Sequence, residues 1–353
     1  MNVKKILSPA ASIIKLFIII LLLNSNSKAE EKNIKYYSND KGILSLMYHR
    51  FNENKYPSTN ITMDIFKQQI KIINDLKYNF YNPKDLEIKF NTTKTEKKIL
   101  ITIDDAFSSF YEVAWPYLKK EKIPFILFVS TKSVGKNGYM TWDQIKELEK
   151  ENTVFIGNHS HSHSYLVDLK NEKFINDIDA ASKIFTEELG YNPIFFSYPF
   201  GEYSSAIKKY ISKNFKFSFG QHSGVIDKNK DRYELPRFPI NEKYGDLKRF
   251  KFLINLNPLQ YKLLYPSEKY LTNSNNPPKF LVQFFDEQPN IKNINCFSDV
   301  GDKWKKSNIS FIKNTLKLNF AEKFNSRRGR VNCSLNDNGI WRWFGVQFSI
   351  KKN

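Results

Sequence analysis

Apolar positions fall in two rhythms along most of the chain. Short runs rich in β-branched and aromatic residues, at 42–51, 99–103, 125–129, 153–156 and 194–197, read as buried strands. Between them, stretches with apolar residues three and four apart predict amphipathic helices over 63–76, 108–120, 142–149, 171–189 and 204–214. The helical pattern is sharpest in 63–76, where Ile65, Phe66, Ile70, Ile73 and Leu76 share one side and Thr62 or Asp64 can cap the start. A short strand and turn is expected at 78–83. Strand alternating with helix in this way predicts an α/β fold with parallel strands, either a barrel or an open sheet. In both architectures chemistry collects at the C-terminal ends of the strands.

The rhythm changes at the turn-rich stretch 273–278, Asn-Ser-Asn-Asn-Pro-Pro. Beyond it, 280–285, 291–297, 316–320, 330–335 and 341–350 are short and mostly alternating, which predicts a small all-β, sandwich-like domain over 273–353 after a larger one over 30–272. Its aromatics, Trp304, Trp341 and Trp343 among them, either fill the small core or stack on sugar rings. The chain's two cysteines, Cys296 and Cys333, both lie here.

The first residues bear on the compartment. Lys4 and Lys5 precede an apolar run at 13–23 broken only by Lys15, and Ser27-Lys28-Ala29 offers small residues at a cleavage point, so 1–29 reads as an export signal. The protein is expected outside the cytoplasm, periplasmic or secreted, or held by an N-terminal anchor if the signal is retained. No later stretch approaches the ~20 apolar residues of a membrane span. In an exported protein, two cysteines in one small domain are expected to form a disulfide. Lysine and arginine exceed the acidic residues, 55 against 36, a net charge of +19. The basic residues are scattered and no nucleic-acid motif accompanies them, so the charge describes a solvated basic surface and no nucleic-acid partner is expected.

Candidate chemistry sits just after predicted strands. The strand at 99–103 ends in Asp104-Asp105; adjacent carboxylates resist joint ionisation unless a cation or donors hold them, although an aspartate there could also cap the following helix. His49 ends the first strand. The strand at 153–156 runs into Gly157-Asn158-His159-Ser160-His161-Ser162-His163, with three of the chain's five histidines at alternate positions. Two imidazoles plus a carboxylate bind a metal ion and leave positions open for water and substrate.

Thr102-Ile103-Asp104-Asp105, His159-Ser160 with His163, and Tyr198-Pro199-Phe200-Gly201 together resemble, in order and spacing, the first three motifs of the polysaccharide deacetylases with a NodB-homology domain, carbohydrate esterase family 4. The resemblance covers about residues 40–255. It implies a distorted (β/α) barrel that hydrolyses N-acetyl groups from amino-sugar polymers. By it, Asp105, His159 and His163 hold the metal, Asp104 is the general base, and the Phe200 backbone N–H helps stabilise the oxyanion; His161 falls at a variable position. Such a donor set suits Zn²⁺ and accepts Co²⁺, Ni²⁺ or Fe²⁺.

Two features depart from the family's commonest pattern. The late histidine motif is not recognisable, and Ser197 stands where an arginine normally precedes the third motif. A subgroup acting on exopolysaccharide begins its barrel with a Tyr-His strand end resembling Met47-Tyr48-His49, and there that histidine supplies the acid; His222, in Gly-Gln-His-Ser-Gly, is the rival. Arg237 either replaces the missing arginine that orients Asp104 or forms an ordinary surface ion pair. The leading expectation is an exported, metal-dependent deacetylase of an N-acetylated envelope or extracellular polysaccharide. An O-acetyl esterase using the same metal site and a non-catalytic glycan-binding protein are the alternatives. The oligomeric state is left open.

Overall fold

The computed structural model describes residues 39–285, 288 and 290–351. The export signal expected at 1–29 lies outside the described residues. Six parallel strands form the body of the first, nine-stranded sheet: β1 (Ile43–Tyr48), β2 (Lys98–Asp104), β3 (Phe125–Val129), β4 (Val154–Asn158), β5 (Phe195–Ser197) and β6 (Phe217–Phe219), each hydrogen-bonded to the next. The first three are buried along almost their whole length, as strands covered on both faces must be. The stretch 232–240 hydrogen-bonds to β6 through Ser218 and Gly220 and to β1 through Phe238–Pro239, so it spans the two ends of the curled sheet. This is the α/β architecture the alternation predicts, a distorted barrel.

Helices cover the outside. The stripe over 63–76 becomes a helix at Met63–Asp75, capped by the Thr62 side chain, with Phe66, Ile70 and Ile73 fully buried. The helix expected at 108–120 is divided: Phe110–Ala114 is π-helical and Trp115–Lys120 α-helical. Pro116 accounts for the break, because it has no N–H to continue the α-helical ladder and the Trp115 N–H reaches back to Phe110. The strand expected across 42–51 also stops at Tyr48, and Arg50–Phe51 pairs instead with Asn60–Ile61. His49 therefore sits at the break, free of both ladders.

The C-terminal region is β-rich. Strands β7 (Asn295–Ser298), β8 (Arg328–Asp337) and β9 (Ile340–Ile350) form the middle of one antiparallel sheet. A second sheet contains Leu263–Tyr265, Phe280–Gln283, Asn308–Ile312 and Thr315–Asn319. Phe280, Val282, Leu316 and Leu318 from one and Cys296, Val331, Cys333 and Phe344 from the other share a core. Cys296 and Cys333 are bridged, and they face each other across β7 and β8 inside one sheet. Asn257–Pro258 and Tyr270–Leu271, upstream of 273–278, pair in parallel with β9. The region also packs on the α/β sheet: Gly224 bridges to Phe344, and the Trp343 indole donates to Ser223.

Candidate active site

Each functional loop leaves the C-terminal end of a strand. Asp104 closes β2, fully buried, while Asp105 and Ala106 follow with φ of 74° and 53°. Ser160 and His163 after β4, and Phe200 after β5, are also left-handed, at 66°, 53° and 60°. Non-glycine residues avoid this region, and such strain persists where the surrounding structure over-determines it. Beneath the loops, Gly157 is required: a β-carbon there would lie 2.4 Å from the Phe128 ring.

The loops bring Asp105, His159 and His163 together, with potential ligand atoms all within 4.8 Å of one another. An Asp105 oxygen lies 3.3 Å from His163 Nε2 and 3.6 Å from His159 Nε2. Donors on a tetrahedral ion with bonds of about 2.1 Å stand roughly 3.4 Å apart, so the trio fits a first-row divalent ion. His159 supports that fit from behind. Its Nδ1 lies 2.7 Å from the Ser197 carbonyl, an acceptor, which fixes the tautomer and leaves the Nε2 lone pair facing Asp105. Burial lowers the His159 pKa to about 4, so the ring is neutral at neutral pH, the state a ligand needs. His161 does not join the trio: its Nδ1 pairs with Thr131 Oγ1 at 2.8 Å.

Asp104 is held separately. Arg237 Nη1 donates to Oδ1 at 2.6 Å and Nη2 to Oδ2 at 2.9 Å, with neither side chain exposed. The remaining guanidinium donors go to the Gly220 carbonyl, Thr102 Oγ1 and Ser197 Oγ, so all five N–H groups have partners. This is no surface ion pair, and Ser197 is one of its anchors. Burial alone would raise the Asp104 pKa, but Arg237, followed by His159 and His49, brings it down to about 2. The two neighbouring aspartates thus have different surroundings, and neither accepts a capping bond from the helix that follows.

The two histidines proposed as acid part company. His49 leaves β1 where Tyr48 pairs with Ile103, next to Asp104, and its charge acts on Asp104. His222 faces Glu234, Lys230 and Lys269, and with Tyr261 and Phe344 it lines a separate small cavity of about 10 Å³. Burial lowers its pKa to about 4. Phe200 packs beside the trio's His163, its ring 4.6 Å from that of His163 and stacked at 4.0 Å on Tyr165.

Sequence reasoning missed several supports. Asp177, on the helix Asn171–Leu189, accepts from the backbone N–H groups of His161 and Ser162 and so shapes the histidine loop. Tyr165, Glu202, Arg327 and Gln347 surround the Phe200 turn. Asp177 lay on the polar face of a predicted helix, and nothing in its sequence neighbourhood distinguishes it from solvated carboxylates.

A buried, arginine-held carboxylate thus stands beside a His-His-Asp trio that could hold a metal ion, at the C-terminal ends of the strands of a curled parallel sheet. Comparison with known proteins gives the family. The polysaccharide deacetylase family profile matches residues 91–217, which contain the aspartate pair, the histidine loop and the Phe200 turn. The chain contains a polysaccharide deacetylase domain of the NodB-homology type. YxkH of Bacillus subtilis (strain 168) is 26% identical over 199 residues, 56% of this chain and 70% of YxkH. The poly-β-1,6-N-acetyl-D-glucosamine N-deacetylase of Staphylococcus aureus (strain MSSA476) is 25% identical over 240 residues, 60% of this chain and 82% of that protein. Among solved structures, IcaB from Ammonifex degensii superposes with a TM-score of 0.55 at 24% identity, covering 61% of this chain and 97% of IcaB, a likeness of fold. Among the described residues no helix is long and apolar enough to cross a membrane.

Proposed function

We propose that the protein is a metal-dependent hydrolase that removes N-acetyl groups from amino-sugar residues of an envelope or extracellular polysaccharide. The observation that carries this reading is the convergence of Asp105, His159 and His163 beside an Asp104 kept ionised by Arg237. Zn²⁺ is the ion the two nitrogens and one oxygen suit best, and Co²⁺, Ni²⁺ or Fe²⁺ are also accepted. When bound, such an ion lowers the pKa of water and polarises an acyl oxygen. Asp104 takes the proton of the attacking water, and Arg237 keeps its carboxylate oriented. The Phe200 N–H, presented from the left-handed turn, stabilises the oxygen as it gains charge. His49, on the Asp104 side of the site, donates the proton that the departing amine requires. His222, turned toward Glu234, takes no part.

The relative named as a poly-β-1,6-N-acetyl-D-glucosamine N-deacetylase supports an N-acetylated exopolysaccharide as the substrate class. Residues 1–29 serve as the export signal, 30–272 contain the deacetylase domain and 273–353 the β-domain, whose sheets also take in the strands at 257–258, 263–265 and 270–271. The test is acetate release from a panel of N- and O-acetylated glycans, with and without chelator. Chelator-sensitive release from N-acetylated polymers is expected. Release from O-acetylated glycans alone would make the protein an esterase, and no release by metal-loaded protein from any of them would sink the enzymatic reading.

A further inference from the structure

Gln347, on β9 and 4% exposed, lies far along the chain from the α/β motifs, yet its Nε2 donates to the Phe200 carbonyl at 3.1 Å and to the Gly201 carbonyl at 3.2 Å. These are two consecutive left-handed residues, with φ of 60° and 69°. Gly201 has no freedom to be anything larger, because a β-carbon would stand 2.5 Å from Gln221. The turn's own backbone bonds, Gly201 N–H to Tyr198 and Glu202 N–H to Pro199, close it locally but leave the carbonyls that Gln347 takes.

Arg327, just ahead of β8, holds the same turn from another side. It donates three bonds, of 2.8 to 3.1 Å, to the carboxylate of fully buried Glu202, the residue after Gly201. Its Nη1 reaches Asp168, beyond the histidine loop, at 2.7 Å. Its guanidinium lies 3.7 Å from the centre of the Tyr165 ring, which is itself stacked on Phe200. A continuous pile therefore runs from Arg327 through Tyr165 and Phe200 to His163. Two loops that each carry part of the site are tied by residues from outside the matched family region, 91–217.

We propose that Gln347 and Arg327 are positioning residues: the C-terminal β-rich region holds the Phe200 turn in the conformation that presents its N–H. The peptide plane after Phe200 is pinned by Gln347 and the ring by Tyr165. The plane before Phe200, which bears the N–H, is held in turn through its Pro199 carbonyl, which accepts from the N–H of Glu202, the residue whose carboxylate Arg327 fixes. The β-rich region is then part of the catalytic unit. The catalytic half of this inference rests on the deacetylase reading, and the conformational half does not.

The test compares wild type with Gln347→Leu, similar in length but without donors, and with Arg327→Lys, which keeps the charge and loses the fork. Amide hydrogen exchange across residues 198–204 reads the turn directly and needs no turnover; it should accelerate at least tenfold in Gln347→Leu. On metal-loaded protein, kcat for acetate release should fall about 10- to 100-fold, as for a misplaced oxyanion donor. KM should stay within about twofold and Zn²⁺ affinity should be unchanged. Arg327→Lys should move both readouts in the same direction by less. Unaltered exchange at 198–204, or a kcat loss that merely tracks the folded fraction, would overturn the proposal. Should wild type release no acetate at all, the deacetylase reading falls, and the exchange rates alone still decide whether the β-region holds the turn.

Discussion

Arg237 and Asp104 meet as a fully buried, two-point pair, 2.6 and 2.9 Å across, with the guanidinium's other donors all engaged. The arrangement has a direct energetic consequence. Arg237→Ala would leave a buried carboxylate uncompensated, and breaking such a pair costs about 3–5 kcal/mol. Urea denaturation at pH 7 should show a loss of that size, and a loss below ~1 kcal/mol would mean that the pair does not hold Asp104 as described.

Asp104→Asn keeps the shape and removes the proton acceptor. Acetate release should drop by about 10²–10⁴-fold, the range for a general base. Zn²⁺ affinity, measured by chelator competition, should stay close to wild type, because Asp104 is outside the converging trio. Activity near wild type would remove Asp104 from the mechanism.

His163 and His161 are two residues apart and should behave oppositely. His163→Ala deletes a donor of the trio and should weaken Zn²⁺ binding more than the 10- to 100-fold typical of outer-shell partners. His161→Ala gives up only the Thr131 contact and should change binding by a few-fold at most. Titration calorimetry on both variants checks this, and a reversed order would reassign the site.

The cluster around Glu234 predicts acid lability well away from the trio. His222 has an ordinary pKa of 6.5 and burial lowers it to about 4; Glu234, which burial alone would raise, is brought from 4.5 to about 2 by Lys269 and Lys208. Both folded-state values lie below the unfolded ones. The His222 contribution is therefore complete above pH 6.5 and is lost as pH falls toward 4, and that of Glu234 is lost between about 4.5 and 2. Melting temperature should decline across both windows, and His222→Gln should flatten the upper one. An unchanged slope in the variant would show that His222 does not titrate as described.

The alternation of strand and helix is enough to predict the parallel sheet, and the family resemblance carried by the three motifs points to the trio. Local pattern also picked out the long buried strands, because burial on both faces leaves continuous apolar runs such as 125–129, but not the three-residue strand Phe217–Phe219. Contacts made across long sequence separations were not legible. Arg237 entered as a possible partner of Asp104 only through the family resemblance; its own neighbourhood does not separate it from a solvated arginine, since its partner stands 133 residues earlier. Gln347 sits in an alternating strand where a polar residue ordinarily faces water, and here it is covered instead by the Phe200 turn, whose carbonyls it takes. The divided helix at 110–120 shows the converse: Pro116, in the interior of the helix expected at 108–120, was a visible helix breaker that the apolar spacing alone does not register.

The bridge between Cys296 and Cys333 has a topological consequence. It spans 37 residues and, in the chain-entropy view, restricts the unfolded chain by about 4 kcal/mol. The closed loop contains the whole Asn308–Asn319 hairpin, whose tip carries Lys313 in a left-handed turn beside an Ile312 that is 72% exposed. A protease that cuts at Lys313 therefore opens a ring without releasing a fragment. The nicked protein would migrate as one species until a reductant separates its two pieces.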